Sequence, residues 1–154
     1  MNKHFVAVSL LMWTGAALAQ TGTACLFSPA ELSATLGHTP GAGVASTDRL
    51  GTLLCKYTIK DAKLRGFSVH IRAKCDQRKF EIHAKMKQST SGKPNTPLKG
   101  FGDDAYFSPD GSATARVGTQ CVELSGFRRG AKRVLTAADA EPLLALAVAR
   151  VGKR

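Results

Sequence analysis

The chain is 154 residues long, with 22 Lys+Arg against 11 Asp+Glu, four Cys, 44% hydrophobic residues and only 6% aromatic ones. That length fits one domain. The apolar content excludes disorder, collagen and a long coiled coil, and the single long apolar run is too short to span a membrane.

That run opens the chain. Lys3 and His4 precede an apolar stretch from Phe5 to Ala16, and Ala17-Leu18-Ala19 supplies the small-x-small pattern of a signal peptidase site. Residues 1–19 therefore read as a secretory signal peptide and 20–154 as a single exported α+β domain, periplasmic or secreted. A buried N-terminal helix is the plainer alternative, and the three-part layout argues against it. Lipidation of Cys25 is disfavoured, because Gly22-Thr23-Ala24 precedes it where a Leu-Ala-Gly type tetrapeptide would be needed.

Cys25, Cys55, Cys75 and Cys121 all fall in the exported part, and an even count there reads as disulfides. No CxxC or CxxH pair occurs and the spacings are unlike a zinc site, so neither metal nor cofactor is expected. Three pairings are open. We favour Cys25–Cys55 with Cys75–Cys121, since the first ties the opening helix to the first strand.

Cys25 to Gly37 carries a full helix signature. Ser28 is the N-cap, Pro29 takes the first helical position, and Glu31 completes a capping box. Phe27 staples onto Leu32, and Gly37 ends the helix. His38 to Gly51 reads as loop. Leu53–Ile59 is a strand, and Phe67–Lys74 a second one paired antiparallel to it. In the second, Phe67, Val69, Ile71 and Ala73 point inward while Ser68, His70, Arg72 and Lys74 point outward. Residues 76–88 alternate as a strand would, yet their Glu, Lys, Gln, Met and Ala content and the capping Asp76 favour helix.

Ser89–Pro97 reads as loop. Ala105–Phe107 and Ala113–Val117 are strands around the Pro109-Asp110-Gly111 turn, and Gln120–Ser125 is another. Residues 126–133 form a basic connection. A closing helix spans 140–151 with Asp139 as its cap and Pro142 in its first turn. Leu143, Leu144, Leu146, Ala147, Val148 and Val151 make its apolar face. The expectation is an α+β fold, an antiparallel sheet of about five strands packed by two to three helices and stapled by disulfides.

Cys25-Leu-Phe-Ser-Pro-Ala-Glu-Leu through Leu36-Gly37, then Cys55-Lys-Tyr57, then Gly100-Phe-Gly-Asp-Asp-Ala-Tyr-Phe107, resemble small exported bacterial domains of uncharacterised function, similar to the PsbP-like α+β fold. The resemblance implies a twisted antiparallel sheet with helices on its faces, and no catalytic residues. Cys75, Cys121 and the high basic charge depart from that pattern.

Charge carries the functional reading. Lys56 to Lys99 holds 12 basic residues against Asp61, Asp76 and Glu81, and Arg128, Arg129, Lys132 and Arg133 form a second cluster. Arg72, Lys74, Arg78, Lys79, Lys85 and Lys87, with that cluster, are the candidate basic face for an anionic envelope component or an acidic protein. A basic pI that merely aids solubility is the plain alternative. Nucleic acid is disfavoured: no recognised motif occurs, and Tyr57, Phe67 and Phe80 read as core residues. Asp103-Asp104 reads as part of a tight turn, since neighbours on an extended segment point apart. His38, His70 and His83 read as solvated. A hydrolase would need His70, His83 and Asp104 to cluster, and no nucleophile elbow, P-loop or HExxH occurs. The second functional class is an enzyme inhibitor with Ser89–Pro97 as its inserting tip.

Overall fold

The computed structural model describes residues 25–60, 66–127 and 135–153. The predicted signal peptide and the 128–133 cluster lie outside them. The described chain is α+β, with three helices and a seven-stranded antiparallel sheet. In order they are α1 (Pro29–Leu36), β1 (Val44–Thr47), β2 (Leu53–Thr58), β3 (Gly66–Arg72), α2 (Gln77–Ser91), β4 (Thr96–Pro97), β5 (Asp104–Ser108), β6 (Ser112–Val117), β7 (Gln120–Phe127) and α3 (Ala137–Val151). Strands β1-β2-β3 form one meander and β4-β5-β6-β7 another. Helix α2 carries the chain between them, so β7 returns beside β3 in the order β1-β2-β3-β7-β6-β5-β4.

Two strands exceed the expected five. Every residue of β1 is exposed, so Val-Ala-Ser-Thr shows no inside–outside alternation to read. β4 is only two residues long. Both are outermost strands with one pairing partner, where side-chain pattern is weakest.

The α1 signature folds as read. The Ser28 hydroxyl accepts from the Glu31 N–H, the Glu31 carboxylate accepts from the Ser28 N–H, and Gly37 takes φ 68°. α2 is capped by Asp76 and closed by Gly92, so the helical reading of 76–88 holds and extends to Ser91. α3 corrects the expectation by one turn. Thr136 is its N-cap and Asp139 stands at N3 as the box partner, because a hydroxyl three residues before an acid closes both orphan N–H groups.

Alternation along the strands sends two chemically different faces to opposite sides. On one side Tyr57, Phe67, Val69, Ile71, Ala113, Ala115, Val122 and Leu124 pack under α1 and α3, with Leu32, Leu143, Leu144 and Ala147 filling the layer. The Cys25–Cys55 disulfide, with Cα atoms 5.6 Å apart, ties the start of this layer to β2. Tyr57 donates its hydroxyl to the Phe27 carbonyl at 2.9 Å. Gly43 lies against that ring, and a Cβ there would sit 2.6 Å from it.

The other side is covered by α2 and is mostly polar. Ser68, Ser125, Ser112 and Ser108 stand in register across β3-β7-β6-β5, and Glu123, Thr114 and Tyr106 form the next row. All seven are buried. A small apolar cluster of Phe80, Tyr106 and the Cys75–Cys121 disulfide, with Cα atoms 5.4 Å apart, closes one end. Ser68 and Arg72 were expected to face solvent. Ser68 is instead buried and Arg72 half-buried, because the second sheet face lies under a helix.

Candidate functional site

α2 divides the predicted basic face. Phe80, His83, Ala84, Lys87 and Ser91 repeat at helical spacing and turn toward the sheet, while Arg78, Lys79, Ile82, Lys85 and Met86 face solvent. Lys74, just ahead of the helix, is exposed as well.

Beneath the helix, Arg72 and Lys87 converge on one carboxylate. Glu123 Oε2 accepts from Arg72 Nη2 at 2.8 Å, and Glu123 Oε1 accepts from Lys87 Nζ at 2.8 Å. Lys87 also donates to Asp110 Oδ2 at 2.9 Å and to Ser112 Oγ at 3.1 Å. Ser112 in turn donates to Asp110 Oδ1 at 2.6 Å. Two cations and two carboxylates thus neutralise each other. The Glu123 side chain is 6% exposed and that of Lys87 is 12% exposed. Burial alone would push the Glu123 carboxyl up, but Lys87 and then Arg72 outweigh it and hold it at about 2.

His83 completes this seam. Its Nδ1 lies 2.6 Å from the Tyr106 hydroxyl, and its Nε2 lies 3.4 Å from Glu123 Oε2 and 3.3 Å from Arg72 Nη2. Burial pushes the Tyr106 phenol up to about 12, so at neutral pH it keeps its proton beside Nδ1. Burial, seconded by Arg72, lowers the His83 pKa against the opposing pull of Glu123. The expectation of a solvated histidine is therefore corrected. His70 is half-buried on β3 beside Ser68, at 3.5 Å.

The hydrolase cluster does not assemble. His83 meets Glu123, whereas Asp104 pairs with Arg116 at 3.1 Å. Asp103 pairs with the same guanidinium at 3.0 Å, so the adjacent carboxylates share one cation after all. They can because Asp103 lies in the bend before β5 and not on the extended strand. Gly102, at φ 65°, makes that bend, and a Cβ there would run into the Arg116 carbonyl. Among the described residues no group of three or more His, Cys, Asp or Glu is placed to hold a metal.

The loop expected over Ser89–Pro97 is shorter, with β4 at Thr96–Pro97. Ser89–Ser91 belong to α2, and Asn95 is anchored, donating to the Ala84 carbonyl at 2.8 Å and accepting from Ser108 at 3.0 Å. Two shallow clefts flank α2. One of about 270 Å³ is lined by Met86, Lys87, Thr90, Ser91 and Asp110. The other, of about 360 Å³, lies by the disulfide between Lys74, Lys79 and Thr119.

Of the ten predicted basic residues, Lys74, Arg78, Lys79 and Lys85 are exposed, Arg72 and Lys87 lie in the seam, and Arg128, Arg129, Lys132 and Arg133 lie outside the described residues. Glu123, Tyr106 and Asp110 are the seam residues missed from sequence. The signal was present in α2, where a His and a Lys occupy inward helical positions. The chain matches no family model, no curated protein and no solved structure. Among the described residues no helix is long and apolar enough to cross a membrane.

Proposed function

We propose that this protein is an exported, disulfide-stabilised binding or accessory module that engages an anionic envelope component or an acidic protein through a basic face. The observation that carries the reading is the division of α2. Its inward cation is neutralised by Glu123 and Asp110, while Lys74, Arg78, Lys79 and Lys85 stand exposed on or beside its outer side. Arg128, Arg129, Lys132 and Arg133 extend the same proposal. Two disulfides in a domain of this size fit an oxidising compartment, periplasmic or extracellular, after removal of residues 1–19. Helices on both faces of an antiparallel sheet suit the PsbP-like relationship implied by the Ser28–Glu31 and Gly100–Phe107 motifs.

A binder is favoured over a catalyst because the groups that resemble an active site are already engaged. Tyr106 stays protonated, and Glu123 and Lys87 satisfy each other. The test is retention on immobilised heparin, used as a generic polyanion, across a salt gradient. Arg78→Glu/Lys79→Glu/Lys85→Glu should elute at markedly lower salt with an unchanged melting temperature. Equal retention of variant and wild type would rule this face out.

A further inference from the structure

The outer side of α2 is not only basic. Ile82 and Met86, one helical turn apart, are 56% and 55% exposed. Arg78 and Lys85 flank this apolar pair on one side and Lys79 on the other, by their helical positions. Glu81, the one acid within the helix, accepts a hydrogen bond from Gln77 at 2.8 Å, and the capping Asp76 lies 3.7 Å from Lys79 in an exposed, readily exchanged pair. Fifteen residues of helix make a rod about 22 Å long.

That rod is held firmly from below. The Cys75–Cys121 disulfide fixes the approach to its N-terminus, the Glu123 seam fixes Lys87, and Asn95 fixes the Ala84 carbonyl. The outer face is therefore presented as a fixed strip, with apolar tips at its centre and long basic side chains beside them. A laterally continuous anionic layer fits this arrangement. Lys and Arg stems can lie along acyl chains while their charges reach phosphates, and the central side chains enter the headgroup boundary. An acidic protein would satisfy the charges but needs an apolar depression of its own for Ile82 and Met86.

We propose that α2 is an in-plane docking surface for an anionic phospholipid bilayer, with Ile82 and Met86 inserting between headgroups and Lys74, Arg78, Lys79 and Lys85 meeting lipid phosphates. This deepens, and rests on, the basic-face reading above. It predicts two separable contributions, a salt-sensitive one from the cations and a salt-resistant one from the apolar pair.

The test is cosedimentation of the full exported chain with vesicles of phosphatidylglycerol mixed with phosphatidylcholine, and with phosphatidylcholine alone, beside heparin retention. Binding should require phosphatidylglycerol. Ile82→Ser/Met86→Ser should weaken it about tenfold or more, because both side chains lose burial on binding. The same variant should keep wild-type heparin retention and melting temperature. Wild-type-like vesicle binding by that variant would overturn insertion. Heparin binding without vesicle binding would overturn the bilayer proposal and leave the basic-face reading standing. Binding to none of these probes would overturn both.

Discussion

The two faces of the sheet solve the same packing problem with opposite chemistry. Under α1 and α3 the layer is Phe67, Val69, Leu124, Leu143 and Leu144, held by non-directional burial and sealed by Tyr57 on the Phe27 backbone. Under α2 it is serines, Tyr106 and a charge network centred on Glu123. The apolar face depends on filled volume, with the Tyr57 hydroxyl satisfied by the Phe27 backbone; the polar face depends on the pairing of its charged members. A helix held by such a network cannot roll without breaking ion pairs, so its outer residues keep their orientation.

The largest effect should come from removing one member of the apolar layer. Phe67→Ala should cost about 3–5 kcal/mol through lost burial and a cavity. Glu123→Ala should cost less, about 1–3 kcal/mol, since Arg72 loses its carboxylate but is partly solvated, and Lys87 keeps Asp110. The faces part company when the network is removed whole. Arg72→Met/Lys87→Met/Glu123→Leu with Asp110→Asn should recover most of that loss, because well-packed apolar groups replace buried ion pairs at little cost. Urea unfolding of the three variants measures all of this.

The disulfides come next. Replacing Cys75 and Cys121 together by Ala should cost about 4 kcal/mol on the chain-entropy estimate for a separation of 46 residues. The loss should appear first as faster amide exchange in α2, with the α3 layer still protected. Replacing the Cys25–Cys55 pair should instead loosen α1.

Acid should separate the faces as well. His83 has its pKa lowered below 6.5 in the fold, so the unfolded chain takes up the proton first, and stability falls as pH drops from about 6.5 toward the folded value. His83→Gln should flatten that limb of the stability–pH curve. Glu123 and Glu31 are both held at about 2 against an ordinary 4.5. Their contribution is full above 4.5 and is lost as pH falls toward 2, in addition to the His83 effect. Glu31 lies on the other side of the sheet, where Arg150 of α3 binds its carboxylate and also donates to the Leu26 carbonyl.

The smallest effect concerns the α3 cap. Thr136→Ala should cost about 1 kcal/mol, as expected of an N-cap hydroxyl.

What could be read from sequence follows the same division. The apolar face was legible because alternation and capping are local: Phe67, Val69 and Ile71 on β3, Ser28 and Glu31 at α1. The seam was not, because Arg72 on a strand and Lys87 on a helix look like solvated charges until the fold brings Glu123 between them. His83 misled for the same reason, its partner Tyr106 being 23 residues away. β1 escaped because four exposed residues carry no periodicity. The favoured cysteine pairing agrees with both Cys–Cys contacts.

The most direct test sets the two sets of cations against each other in one experiment, with melting temperature and heparin elution measured on each variant. Lys74→Gln/Arg78→Gln/Lys85→Gln should elute early and melt as wild type does. Arg72→Gln/Lys87→Gln should melt several degrees lower and, while folded, elute much closer to wild type than the first variant. The reverse pattern, or equal loss of retention in both, would contradict the division of α2 into a locked side and a binding side.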